Sequence, residues 1–104
     1  MAYVFNDDKT KSVLSFATVA SGSGTTIAAG ATGYVDIDLS SYNPVVGVRA
    51  VRIDDTTQAA EKLITLGTYW NVNTLKVLVR NDNSSSVTVG TGNLKVFVNI
   101  SYLA

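Results

Sequence analysis

Residues 75–103 read LKVLVRNDNSSSVTVGTGNLKVFVNISYL, and this stretch decides the fold. Leu75, Val77 and Val79 recur at every second position. After a Ser/Asn/Gly-rich interruption, Leu94, Val96, Val98, Ile100 and Tyr102 do the same. Successive side chains of an extended chain point to opposite faces, so period-two alternation marks strands that bury one face. The opposite row is not cleanly polar. Leu78 falls between Lys76 and Arg80 in it, and Phe97 between Lys95 and Asn99. Large apolar side chains on an otherwise solvated row are expected to be covered, and the sequence offers a second copy as the cover. Leu78, Phe97 and Leu103 are the expected oligomer contact.

The same cadence runs upstream. Ser12 to Ala20 predicts a strand, Thr25 to Ala28 a short one, and Tyr34 to Leu39 one with Val35, Ile37 and Leu39 inward and Asp36 and Asp38 outward. Val45 to Ile53 is apolar at both parities, which predicts a strand covered on both sides. Leu63 to Trp70 and Thr74 to Arg80 flank a tight turn at Asn71-Val72-Asn73, and Val87 to Val89 precedes the long last strand. Asp55 to Lys62 predicts one helical turn or an exposed hairpin loop, since Asp55 and Gln58 have capping-box spacing. About eight short strands with Gly/Asn/Ser turns and negligible helix give an all-β expectation: an antiparallel β-sandwich, jelly-roll-like. Residues 1–20 are expected to be an N-terminal arm or first strands and a candidate attachment segment, with the β-sandwich domain over residues 21–104. Ser21-Gly22-Ser23-Gly24 reads equally as a linker or a hairpin loop.

Composition narrows the function classes. In 104 residues there are 8 Lys plus Arg and 8 Asp plus Glu, giving no net charge. Nucleic acid and acidic membranes both demand a concentrated positive footprint, so neither is an expected partner. Charged residues make up 15% of the chain, against about 25% in an average soluble domain. A small uncharged surface protects poorly against self-association, which favours an oligomer or a larger assembly over a monomer surfaced with Ser, Thr and Asn. No apolar stretch reaches membrane-spanning length, and neither a signal peptide nor a membrane protein is expected.

Catalytic chemistry is poorly supplied. The chain has no His and no Cys, so a Ser-His-Asp triad, a thiolate nucleophile and a zinc–cysteine site are all excluded. Asp36 and Asp38 share a strand face but read as solvated charges, because glycoside hydrolysis needs carboxyls flanking a cleft. Asp54-Asp55 is the better candidate for a cation, though no metal or cofactor is expected. The Gly-rich pieces lack the Lys and the helix of a phosphate loop and read as turns. Tyr69-Trp70, flanked by Asn71 and Asn73, is the one suggestive constellation. Aromatic rings beside amides hold sugar rings by stacking and hydrogen bonds, so Tyr69, Trp70 and Asn71 are the candidate binding residues. The alternative is that Trp70 fills a core or an interface.

Ser40-Ser41-Tyr42 through Val45-Val46-Gly47-Val48-Arg49, Val77-Leu78-Val79-Arg80-Asn81 with its Ser-rich loop, and the closing Val96-Phe97-Val98-Asn99-Ile100-Ser101-Tyr102 resemble a β-sandwich module of small virion proteins of tailed bacteriophages. Phe5-Asn6-Asp7-Asp8-Lys9-Thr10-Lys11 is similar to the start of some phage minor structural proteins. The resemblance spans most of the chain but carries no catalytic residues. It implies a capsid decoration, head-fibre or tail-tip component located in the virion, commonly a homotrimer. Its partners would be itself, other virion proteins and, at a tail tip, a host-surface glycan. The chain lacks coiled-coil heptads and collagen repeats, which favours a compact knob over a shaft. The expectation is a non-enzymatic structural protein, with a carbohydrate- or host-surface-binding module as the alternative.

Overall fold

The computed structural model describes residues 13–55 and 62–104. They form strands β1 (Leu14–Ala20), β2 (Thr25–Ile27), β3 (Thr32–Asp38), β4 (Val45–Asp55), β5 (Leu63–Asn71), β6 (Thr74–Asn81), β7 (Val87–Val89) and β8 (Leu94–Leu103). A 3-10 turn, Ser40–Tyr42, leads into β4. Every strand pairing is antiparallel. The strands make three sheets, ordered β1-β8-β4, β2-β7 and β3-β6-β5. The all-β antiparallel expectation holds at that level, while three sheets are a looser arrangement than a closed jelly roll.

The two strands whose alternation is cleanest are the central ones. Leu75, Val77 and Val79 of β6, and Leu94, Val96, Val98 and Ile100 of β8, share one buried cluster with Val35, Ile37 and Leu39. A central strand has hydrogen-bonded neighbours on both sides, so its inward row is shut off once another layer covers it. Burying each such aliphatic side chain contributes about 1.5–3 kcal/mol. Ile27 of β2 and Val89 of β7 complete the cluster. Their ribbon is fastened by a 2.6 Å hydrogen bond from Thr25 Oγ1 to the Tyr34 carbonyl.

The start of the described chain belongs to the same body. β1 pairs with β8 along its whole length, from Leu14 opposite Leu103 to Ala20 opposite Phe97. Ser21 is then buried and strapped to β8: its N–H donates to the Val96 carbonyl and its Oγ accepts from the Val96 N–H. Of the segment 1–20 expected to be an arm or first strands, Leu14–Ala20 form β1; residues 1–12 lie outside the described residues, as does most of the 55–62 stretch where a helical turn or loop was expected.

Two expectations need correction. β4 is not covered on both sides; it is the edge of its sheet, and Val46 is exposed. Its apolar residues occupy both parities because the register shifts between Val45 and Gly47 and again between Val48 and Ala50. Each extra residue turns the following side chains to the other face. Val45, Val48, Val51 and Ile53 thus all pack on the core from a one-sided strand. Leu103 is not an exposed contact either: it is 5% exposed, and its N–H donates to the Pro44 carbonyl at 3.0 Å.

A second buried polar residue sits at the end of β6. Asn81 continues the inward parity of Leu75, Val77 and Val79 and is fully buried. Its Nδ2 donates to the Ile27 and Ser85 carbonyls, both at 2.9 Å. Its Oδ1 accepts from the backbone N–H and the side-chain amide of Asn83. Burial without partners would be costly, so here the amide fastens the 82–86 loop and β2 to the end of β6.

Candidate functional site

β5 is the anomaly of the fold. Leu63 at its start is buried, and every residue from Ile64 to Asn71 is exposed. As the outer strand of β3-β6-β5 it has a neighbour on one side only among the described residues. Thr65, Thr68 and Trp70 lie opposite the buried Val79, Val77 and Leu75 and so share their face, yet they remain outside the packed core. The other parity carries Ile64, Gly67, Tyr69 and Asn71. Ile64 is 44%, Leu66 51%, Tyr69 47% and Trp70 45% exposed. No Lys, Arg, Asp or Glu occurs between Leu63 and Asn71, so the charges that usually blunt a sheet edge are missing.

A bulge between Thr65 and Gly67 interrupts β5 at Leu66. Beyond it, Gly67 to Asn71 pair regularly with Leu78 to Thr74. The strand ends in a two-residue hairpin loop of Val72 and Asn73. Val72 takes φ 57°, the region that hairpin turns normally fill with Gly or Asn, and its side chain is 87% exposed.

Alternation divides the expected sugar-binding trio. Tyr69 and Asn71 face outward, and the Tyr69 ring meets Tyr34 edge-on at 5.4 Å. Trp70 faces the other way, into an open hollow of about 280 Å³ with Leu39, Asn43, Pro44, Val45, Val72 and Asn73. The Leu39 N–H donates to the Asn73 carbonyl at 2.9 Å and ties the hairpin tip to the end of β3. The aromatic–amide group is therefore Trp70 with Asn43 and Asn73, while Tyr69 and Asn71 belong to the opposite face. Asn43 is missed by the sequence reading because it lies 27 positions upstream of Trp70; only the sheet arrangement brings the two together.

The two outward apolar residues are partly roofed by their own chain. Phe97 is half-buried beneath Arg52, whose guanidinium carbon stands 4.9 Å from the ring centroid. Phe16 and Arg49 repeat the arrangement at 4.7 Å. Between these stacks, Thr18 donates to Asn99 Oδ1 at 2.8 Å. Leu78 is half-buried opposite Tyr34, with Gly67 opposite it on the β5 side.

Electrostatics on the β3-β6-β5 face is local. Lys76 Nζ donates to Asp36 Oδ1 at 2.9 Å, and this bond raises the lysine above its ordinary pKa. The Ser40 backbone N–H donates to Asp38 Oδ1, holding that carboxyl below the usual aspartate value. Asp36 and Asp38 thus have structural partners within the chain. Among the described residues no group of three or more His, Cys, Asp or Glu could hold a metal ion. The side chains of Asp54 and Asp55, the expected cation site, lie outside the described residues. No helix among the described residues is long and apolar enough to cross a membrane.

Comparison with protein-family models, with curated proteins and with solved structures gives no match to this chain.

Proposed function

We propose that the protein is a non-enzymatic structural component that self-associates, and that it serves in the virion of a tailed bacteriophage as a capsid decoration or tail-tip protein built on an open β-sandwich. The observation that supports it is β5: an uncharged edge strand exposing four large apolar side chains. The expected contact moves accordingly. Leu78 and Phe97 are half-covered within the chain, whereas the large apolar side chains of β5 stay 44–51% exposed. The virion setting rests on the resemblance of the strand-and-loop pattern and on a low-charge, His-free, Cys-free composition. Sedimentation of the purified chain with and without phage particles tests the reading. Self-association and co-sedimentation with particles are expected, and a monomer that stays in the supernatant contradicts it.

A second reading, recognition of a host-surface glycan, is favoured by the Trp70 hollow. A half-exposed indole with Asn43 and Asn73 nearby has the chemistry of a sugar platform. The chain has a single Trp, so its fluorescence reports directly. A saturable change on titration with oligosaccharides is expected, and no response to any of a broad glycan panel removes this reading.

A further inference from the structure

We propose that the partner of β5 is β5 of a second copy of this chain, paired antiparallel across a two-fold axis at Tyr69. This deepens the self-association reading and rests on it. Three features select the occupant.

The first is charge. A two-fold pairing sets each residue against its counterpart's surroundings, so a charged edge opposes like charges, which is destabilising. Edge β3 carries Asp36 and Asp38, and edge β4 carries Arg49 and Arg52. β5 carries no charge at all. Edge β1 is also uncharged, but it exposes two large apolar side chains, Leu14 and Phe16, against four on β5, and Arg49 stacks on its Phe16. β5 is the edge on which self-pairing meets no repulsion and leaves the most apolar surface to cover.

The second is register. The bulge at Leu66 leaves Gly67–Asn71 as the regular run of the strand. The antiparallel pairing that uses the whole run is centred on Tyr69. It sets Tyr69 opposite Tyr69, Thr68 opposite Trp70 and Gly67 opposite Asn71 of the other copy. Gly67 has open space where a side chain would stand, so a substitution there is accommodated and the position can report on the register.

The third is area. Ile64, Leu66, Tyr69, Trp70 and Val72 expose from 44% to 87% of their surface. At about 100 Å² each, two copies hold on the order of 1,000 Å² of exposed apolar surface at this edge, the ceiling on what pairing takes from water and close to the lower bound of a specific interface. Main-chain hydrogen bonds along a free sheet edge add to this. A two-fold contact closes a dimer, and it takes the place of the three-copy assembly that the resemblance implies.

The chain has no Cys, which makes the register directly testable by disulfide trapping. Opposed Cα atoms in an antiparallel pair are about 4.5–5.5 Å apart, within disulfide range. Under mild oxidation Tyr69→Cys should form a covalent dimer. Gly67→Cys and Asn71→Cys should cross-link when mixed and not separately, which keeps the test valid if loss of the Tyr34–Tyr69 contact perturbs the Tyr69 variant. Thr68→Lys, at an exposed position, should weaken self-association at least roughly tenfold while the circular dichroism spectrum is retained. A wild-type oligomer with none of these cross-links and no response to Thr68→Lys overturns the β5 pairing and leaves self-association standing. A monomer at every concentration overturns both.

Discussion

Arg52 lays its guanidinium over Phe97, 4.9 Å from the ring centroid, and the two residues stand directly opposite each other on β4 and β8. An aromatic residue on the outer row of a central strand is thereby sheltered within its own chain. Phe97→Ala removes the ring and the cation–π contact, and is expected to cost about 1–2 kcal/mol of stability. Urea denaturation measures this. Dissociation of an oligomer in Phe97→Ala, with the fold retained, would return Phe97 to the interface expected from the sequence.

Asn81 gives a larger effect. Its amide satisfies the Ile27 and Ser85 carbonyls and two donors of Asn83 from a fully buried position. Asn81→Ala leaves those groups unpaired around a cavity, and is expected to cost about 2–4 kcal/mol. A fall in the urea midpoint with an unchanged m-value is the expected signature.

Gly90 adopts φ 113°, and a Cβ there would collide with the Ser23 carbonyl oxygen and stand 2.8 Å from Val35 Cγ1. Backbone cannot move aside as a side-chain tip can. Gly90→Ala combines left-handed strain with that clash and is expected to destabilise by about 2–4 kcal/mol. Thermal unfolding measures it, and a stability equal to wild type contradicts the described turn.

Val72 points the other way. A β-branched residue with positive φ is strained, and its side chain is almost wholly exposed. Val72→Gly relieves the strain but gives the unfolded chain more freedom, so a net gain of about 0.5–1 kcal/mol is expected. An unchanged or lower melting temperature contradicts it.

The acid limb of stability should register Asp38. Its carboxyl is held below the ordinary aspartate value by the Ser40 backbone and side chain. A depressed folded-state pKa adds stability above the unfolded value, lost as pH falls through the lowered one. Lys76, raised by its bond to Asp36, has the opposite sign: its contribution is complete below the ordinary lysine range and is lost as pH climbs through the raised value. Carboxyl-detected NMR titration should place Asp38 below a model-peptide aspartate, and Asp38→Asn should remove that part of the acid dependence.

Alternation carried most of the fold. Val35, Ile37 and Leu39, Leu75, Val77 and Val79, and the inward row of β8 are buried as period two demands. It failed where two bulges make β4 apolar at both parities, because a register shift leaves no mark distinguishable from a strand buried on both faces. The candidate site was half legible. Trp70 could be singled out by composition, and alternation alone separates it from Tyr69 and Asn71. Its real neighbours, Asn43 and Pro44, depend on which sheet edges lie near each other, and that is long-range information. The exposure of β5 was not legible for a different reason. Leu63 to Trp70 has the composition of a covered strand, and composition does not say whether the cover comes from the same chain.

The most direct test is sedimentation velocity on the intact chain across the micromolar range, run beside Thr68→Lys. A concentration-dependent dimer of the wild-type chain, shifted to monomer in Thr68→Lys with the same circular dichroism spectrum, is the expected result. A wild-type chain that remains monomeric throughout, or an oligomer indifferent to a charge in the middle of β5, contradicts assembly through this strand.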